Sequence, residues 1–594
     1  MLETRVLKCD LCVVGGGMAG LSAAISAARE GISVVLMHER PVLGGNASSE
    51  IRMWVCGAFG KNNRETGILE EIALENLYRN PTKSYAIWDT VLYDFAKREK
   101  NLTLLLNTTC MDAEVAEGVF AYGRTKRIQS VTGYQMTTQR MIRVTAKYFC
   151  DASGDSILAP LTGAEFRIGR EAALEFGEDS PIEVADNMTM GMSCLLQGRE
   201  TTEPVAFTPP PFSTKLTAEH FAHRHLDLYA DTENYWYLEL GGNRDTIGET
   251  EELRDELVAL AAGTWDYIKN SGNFKAENWD LDFLGFLPGK RESRRMCGEY
   301  MITQRDISDN VSFPDEIAYG GWPLDDHFPG GFYHKGVSCS QIPTPPHYSI
   351  PYRALYSRNV ENLYFAGRNI SMTHTAMSSI RVMATCALLG EAVGKAASLA
   401  TKYDQTPHDV YLSHVAELQK CLQDEDCFLP RFPREISALC RAAALSAPDA
   451  LRNGHDRPHV IYGSGDGEEI YSAPIGEEIT YRFDAAHVTA VHIVFDSDLN
   501  RLTLPGSECE RGHGTRANRR LDSPVMHMPT TLCRAFTLYG EREGVREVIL
   551  SVENNRRRAY HIPVGKALDS LILVPEGRWE ENAAAVPLIS FDFE

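Results

Sequence analysis

The chain opens with a short apolar run rich in β-branched residues at 11–14, then six residues of glycine-rich turn, then an alanine-rich stretch over 21–30 that Gly31 closes. A second apolar run at 33–37 follows, with Glu39 just beyond it. This succession predicts a strand–turn–helix–strand unit. Helical spacing recurs at 67–79 and 84–99, a strand at 102–106, and meander-like alternation over 127–151. Residues 160–350 are mixed. They hold Pro209-Pro210-Pro211, an aromatic strand expected at 235–240 and a helix expected at 249–269. A strand at 363–366 leads through Gly367 into a long helix, expected from about Ser378 to Ala400, and 405–445 reads as helical connection. Beyond it the pattern changes to alternation at 490–495, runs at 548–553 and 559–564 that flank Asn554-Asn555 like a hairpin, and a further strand at 571–574. That is the signature of an all-β, sandwich-like module.

Composition narrows the class. The 594 residues are 43% hydrophobic and 24% charged, a globular balance. A formal net charge of −22 repels phosphate backbones and anionic lipid surfaces, so neither nucleic acid nor membrane is an expected partner. The most apolar helix, 385–400, is interrupted by Glu391 and Lys395, well short of the roughly 20 apolar residues of a spanning segment. With no secretory pattern at the N-terminus, a cytoplasmic protein is expected. The 14 cysteines are scattered. Cys9-x-x-Cys12 has no second pair at zinc-ribbon spacing, so packed thiols and no metal site are expected.

The first turn carries the most specific signal. Gly15-x-Gly17-x-x-Gly20 lies between a strand and a helix, and Glu39 follows Gly20 by 19 residues. In a dinucleotide fingerprint the first glycine makes the tight turn, the second admits a pyrophosphate and the third packs helix on strand. The helix N-terminus, with Met18 and Ala19, offers its amides to the phosphates, and Glu39 accepts the ribose hydroxyls.

Three separated segments then resemble the glutathione-reductase-like FAD superfamily: Arg40 to Asn46, with Gly44-Gly45; Asp151-Ala152-Ser153-Gly154-Asp155; and Asn362 to Arg368, with Gly367. The stretch Gly44-Gly45-Asn46-Ala47-Ser48-Ser49-Glu50-Ile51-Arg52-Met53-Trp54-Val55-Cys56-Gly57-Ala58, together with Thr373-His374 to Val382, is similar to a family of bacterial FAD-dependent oxidoreductases found in carbohydrate-degrading bacteria. The resemblance implies an α/β Rossmann-like FAD-binding domain (1–165 plus 345–404), an inserted α+β substrate domain (166–344), a helical connection (405–445) and the β module (446–594). It implies FAD as cofactor. One departure stands out: Arg368 occupies the place where many such enzymes have an acid for the ribityl chain, leaving it to meet a phosphate or a substrate carboxylate.

Within that frame, His374 is the leading general acid–base, with a structural histidine as the alternative. The N-terminus of the helix expected from about Ser378, aided by Arg381, would stabilise charge on reduced flavin, with Val382 beside it at the cofactor, or Arg381 serves as an ion-pair partner. Cys56 is placed to contact the flavin, or is a small buried residue. Arg52 would bind an anionic substrate, or has a surface or phosphate-pairing role. His334 is a lesser loop candidate. The run Arg291-Glu292-Ser293-Arg294-Arg295 reads chiefly as a solvated charged face. The expected activity is FAD-dependent oxidation or reduction of a small polar substrate, a sugar, sugar acid or glycoside. The alternatives are reduction of a conjugated carboxylate, or a flavin-bearing electron-transfer or binding subunit. A homo-oligomer is compatible with all three.

Overall fold

The computed structural model of the chain describes residues 2–230, 233–457, 470–503 and 512–594. It has two compact units: Met1–Ala58, Thr82–Val415 and Gly512–Val525 form one, and Phe59–Pro81, Ala416–Arg511 and Met526–Glu594 the other.

The first unit is built on a mixed sheet. β1 (Thr4–Val14) leads into α1 (Met18–Arg29) and β2 (Val34–Met37); α2 (Tyr85–Lys97) precedes β3 (Leu102–Leu105), and β4 (Thr108–Glu117), β5 (Lys126–Gln135) and β6 (Arg140–Asp151) form the meander. The order is β3-β2-β1-β6-β5-β4. β1 is parallel to β2 and β6, whereas β5 and β4 run antiparallel. Residues 11–14 are buried because parallel strands flank them on both sides, which is why that run is apolar throughout rather than alternating. The strand starts earlier than the apolar run predicts, since residues 4–9 pair only with β6 and carry exposed positions.

The region that follows contributes β7 (Leu196–Glu200), β8 (Glu239–Leu240), α3 (Thr250–Asn270), β9 (Trp279–Leu284), β10 (Gly289–Lys290) and the antiparallel pair β11 (Leu324–His327) and β12 (Cys339–Ile342). Its core gathers Tyr235, Tyr237, Leu257, Trp265 and Trp279. The aromatic strand expected at 235–240 shrinks to β8, because Tyr235 turns the chain with φ +58° and its ring is committed to this core.

β13 (Leu363–Phe365) returns to the sheet parallel to the end of β6. The single helix expected from about Ser378 is two helices, α4 (His374–Ile380) and α5 (Met383–Tyr403), meeting at 95°. Arg381 donates from Nη2 to the Asp325 carbonyl and Val382 is extended, so the first helix stops there and a second begins. α5 lies against α1 at glycines. A Cβ on Gly390 would stand 1.9 Å from the Ala19 carbonyl oxygen, an approach that a larger residue forbids. Among the described residues no single helix is long and apolar enough to cross a membrane.

The second unit holds the helix Ile68–Arg79 and an antiparallel sheet of β14 (Tyr471–Pro474), β15 (Ile479–Phe495), β16 (Cys533–Arg542), β17 (Val545–Val552), β18 (Ala559–Arg578) and β19 (Ala585–Phe593), in the order β14-β19-β15-β18-β16-β17. Val491, Phe495, Phe536, Leu571 and Phe591 fill its core. The helix is fixed by buried Glu70, whose Oε2 lies 2.5 Å from Arg501 Nη2. The hairpin expected across Asn554-Asn555 does not form. β17 and β18 both pair with β16, which lies between them, and Asn555 instead ties the connection down by donating from Nδ2 to the Cys533 carbonyl.

Candidate functional site

The glycine turn sits at the C-terminal end of β1. Gly15 has φ +107°, and a Cβ there would lie 2.3 Å from the Ala152 carbonyl oxygen; one on Gly20 would lie 1.9 Å from the Gly15 oxygen. Gly17 differs. Its φ of −67° suits any residue, and the nearest atom to an added Cβ is 3.9 Å away. Gly17 is therefore bare for lack of a filled space rather than for backbone freedom, as a turn that admits a pyrophosphate requires. It caps α1, whose first turn carries no acidic residue. Gly44 returns over this turn, its N–H donating to the Gly16 carbonyl at 2.9 Å, and Gly45 comes within contact of Gly17.

His38 organises the turn and was invisible in the fingerprint. Gly16 N–H donates to its Nδ1 at 2.9 Å, and its Nε2 lies 2.9 Å from the Val42 carbonyl oxygen. Burial, with Arg40 beside it, lowers its pKa to about 3. The ring is thus neutral, with Nδ1 as acceptor and Nε2–H as donor.

Charge surrounds the turn. Asp155 accepts from Lys290 Nζ at 2.7 Å, Arg368 Nη2 at 2.8 Å and Ser293 Oγ at 2.7 Å. Burial opposes its ionisation, but Arg368 and Lys290 hold its carboxyl below the usual carboxylate range. Arg368 therefore has a carboxylate partner within the chain, which answers the departure in the late glycine element. Arg40 Nε, Arg368 Nε and Trp54 Nε1 are buried and make no protein hydrogen bond, and Arg40 Nη1 stands 3.6 Å from Glu50 Oε2 as an ion pair too long for a hydrogen bond. A dinucleotide fits this set: cationic donors for its phosphates, glycine space for its pyrophosphate, and the exposed Glu39 after β2 for its ribose.

The segment 291–295 joins this turn to a second, buried network. Asn46 Nδ2 donates to the Lys290 carbonyl at 3.0 Å, and Ser293 holds Asp155. Glu292 Oε2 lies 2.9 Å from His374 Nδ1, and Asp326 Oδ1 lies 3.1 Å from His374 Nε2. Burial alone would lower the His374 pKa, but the two carboxylates outweigh it and raise it to about 10. Arg295 bonds Glu292 and lies 2.6 Å from Glu171 Oε1, and Glu171 Oε2 accepts the main-chain N–H of His374 at 2.8 Å. Beside this, Arg291 Nη1 is 3.4 Å from Glu239 Oε2, and Arg381 Nη2 is 3.2 Å from Asp325 Oδ2. The charged run at 291–295 is therefore an interior element: Glu292, Ser293 and Arg295 are all fully buried. The run reads as a solvated face in the sequence because, apart from the Glu292–Arg295 pair within it, its partners Glu239, Glu171 and His374 lie far away along the chain.

The sequence-derived candidates thus fall in two places. Gly15 to Gly20, Gly44 to Asn46, Ala152 to Asp155, Gly367 and Arg368 meet at the C-terminal ends of β1, β6 and β13. His374 and Arg381 belong to the second network, with Val382 at the break between α4 and α5. His374, with both ring nitrogens held by carboxylates and its pKa raised to about 10, is an imidazolium at neutral pH, the acid form of the expected acid–base pair. Cys56 accepts the Ala384 N–H through its carbonyl at 2.9 Å, in the first turn of α5. Arg52, at φ +67°, is held by Gln197 at 2.9 Å and Asp282 at 3.5 Å over the Phe283 ring, so it is not an unengaged anion receptor. His334 stacks on Phe328 with ring centroids 4.3 Å apart. Trp54 stacks on His513 at 4.2 Å, a contact to the late segment Gly512–Val525 that no sequence pattern announced.

A sheet whose parallel part carries a glycine turn at its C-terminal edge, an acid after the second strand and a returning late strand with its own glycine defines a Rossmann-like dinucleotide-binding protein of the flavoprotein kind. The match of residues 10–422 to the model of the FAD dependent oxidoreductase family makes the assignment specific: the chain belongs to that family, and FAD is its cofactor. A stretch of 38 residues is 58% identical to a fumarate reductase (cytochrome) of Shewanella frigidimarina; it covers 6% of this chain and 7% of that relative's length. Among solved structures, the chain is similar to a geranylgeranyl bacteriochlorophyll reductase-like protein of Thermoplasma acidophilum, at 12% identity over 71% of this chain and 85% of that one, with a TM-score of 0.30. It is also similar to a family 32 carbohydrate-binding module of Streptococcus pneumoniae EndoD, at 11% identity over 27% of this chain and 99% of the module, with a TM-score of 0.19.

Proposed function

We propose that the protein is an FAD-dependent oxidoreductase acting on a small, neutral, polyhydroxylated substrate of the sugar or glycoside class. One observation carries the substrate class. The three arginines of the buried network, Arg291, Arg295 and Arg381, are each already neutralised by a carboxylate, namely Glu239, Glu292 with Glu171, and Asp325. A carboxylate substrate would have to displace one of these buried partners, at a cost of several kcal/mol. A hydroxylated substrate needs only acceptors and donors. Residues 166–344, which bring Glu239, Glu292 and Asp326, form the substrate side in this reading.

When bound, FAD supplies hydride acceptance or donation at N5. Gly15, Gly17 and the first turn of α1 would hold its pyrophosphate, Glu39 its ribose, and the segments 44–46 and 367–368 its approach to the sheet. The proton is the chain's task. His374 keeps one on each ring nitrogen, and Asp326, whose side chain is 40% exposed, is the accessible end of that relay. In the oxidising direction the Asp326 carboxylate would take the proton of a substrate hydroxyl, with the His374 imidazolium holding it in place; in the reducing direction the Nε2 proton would pass outward through Asp326.

The test is anaerobic mixing of the FAD-loaded protein with a panel of neutral sugars and glycosides and, separately, of the reduced protein with enoates. Bleaching of the flavin band by a sugar or glycoside is expected. Rapid reoxidation by an enoate, with no bleaching by any sugar, would replace this reading with conjugated-carboxylate reduction. Flavin that responds to neither would favour an electron-transfer or binding subunit.

A further inference from the structure

The β11–β12 pair brings together three donors, of which His327 and Cys339 have no part in the redox reading and Asp325 enters it only as the partner of Arg381. Asp325 and His327 stand two residues apart on β11, so their side chains leave the same face. Register sets Cys339 of β12 directly across from His327. A carboxylate oxygen, a ring nitrogen and a sulfur from these three residues all lie within 4.8 Å of one another. His327 Nδ1 is 2.6 Å from Glu239 Oε2, and its Nε2 is 3.4 Å from Asp325 Oδ2. Glu239 is itself fixed by the Gly191 N–H at 2.7 Å. A carboxylate that accepts from Nδ1 leaves the Nε2 lone pair directed away from it, toward Asp325 and Cys339. Metal-ligating histidines are oriented in this way.

We propose that Asp325, His327 and Cys339 form a binding site for one borderline-soft divalent cation, Zn²⁺ being the best match, with Glu239 as the carboxylate behind the histidine. One sulfur, one nitrogen and one oxygen is a zinc-type donor set and unlike the all-oxygen sets of Mg²⁺ or Ca²⁺. Three protein donors leave a fourth position for water or a ligand oxygen. On binding Cys339 becomes a thiolate: its S–H bond breaks, an S–metal bond forms and the proton passes to solvent, so the ion meets two negative donors, Asp325 and Cys339. In the metal-free arrangement Arg381 and His327 face Asp325 instead. The sequence hides this set because Asp-x-His and a cysteine twelve residues on match no ribbon or finger spacing.

The experiment is titration of chelator-treated, FAD-loaded full-length protein with Co²⁺, followed by difference absorbance. A 1:1 endpoint with a sulfur-to-cobalt charge-transfer band, abolished by added Zn²⁺, is expected. In Cys339→Ser the band should vanish, and His327→Gln should weaken cobalt binding at least tenfold. FAD content and circular dichroism are read on each variant, so that misfolding is recognised. For a variant that fails this check, Asp325→Asn in the folded protein supplies the same weakening. Absence of a band in folded wild-type protein, or a band that Cys339→Ser leaves unchanged, would overturn the site. The readout is the metal itself, so the outcome is independent of which substrate the flavin serves.

Discussion

Asp326 and His374 are joined by a 3.1 Å hydrogen bond between Oδ1 and Nε2, and they differ sharply in exposure: 40% for the Asp326 side chain against 4% for that of His374. Replacing Asp326 by Asn removes one of the two charges that raise the His374 pKa to about 10. The pH dependence of flavin reduction in stopped flow should therefore shift downward by about one unit or more in Asp326→Asn, since one unit corresponds to about 1.4 kcal/mol of charge interaction. An unmoved profile would remove His374 from the proton path.

The same histidine sets a stability trend. Its folded pKa lies above the ordinary value of 6.5, so its contribution is complete below that value and is lost as pH rises through about 10. Unfolding free energy from urea titrations should fall across that window in the wild type. His374→Gln should flatten the slope.

Gly17 and Gly20 separate cofactor binding from folding. Gly17→Ala places its methyl 3.9 Å from the nearest atom, an unstrained contact with Gly45, and should keep the wild-type melting temperature while weakening FAD binding at least tenfold, because the methyl takes the pyrophosphate's place. Gly20→Ala meets the Gly15 carbonyl oxygen at 1.9 Å and should be destabilised whether or not FAD is added. Fluorescence titration and differential scanning calorimetry on both variants decide this.

His38→Ala leaves the Gly16 N–H without its acceptor in a buried turn. Loss of such a partner costs about 1–3 kcal/mol, so FAD affinity should fall about tenfold or more. Isothermal titration with FAD measures it.

Gly390→Ala tests the α1–α5 contact. Alanine gains up to about 1 kcal/mol of helix propensity, whereas overpacking costs about 1–3 kcal/mol. With a backbone oxygen 1.9 Å away, the clash should win and the urea midpoint should fall.

What the sequence revealed follows from range. The turn at 15–20, the Gly44-Gly45 strap and the Asp151–Asp155 element were legible because each is local and its residues answer to backbone geometry. His374 and Arg381 were legible as chemistry, but not as paired groups. Glu292 and Asp326 lie 82 and 48 residues from His374, and nothing in a one-dimensional pattern announces such partners. The charged run at 291–295 misled for the same reason, since burial of charge is visible only with its counter-charges. The aromatic run at 235–240 misled differently: its alternation suits a strand, but a core of tryptophans and tyrosines took the side chains and bent the backbone.

The two units exchange pieces of chain. Phe59–Pro81 belongs with the later residues, and Gly512–Val525 belongs with the earlier ones. On a ribosome the first unit would wait for its last fourteen residues until most of the second had been made. There the Arg516 N–H must still find the Lys83 carbonyl and the Gly198 N–H the side chain of Asn518. Such distant closures make for slow folding. They also mean that neither unit can be cut out as one continuous stretch of chain without taking a fragment of the other.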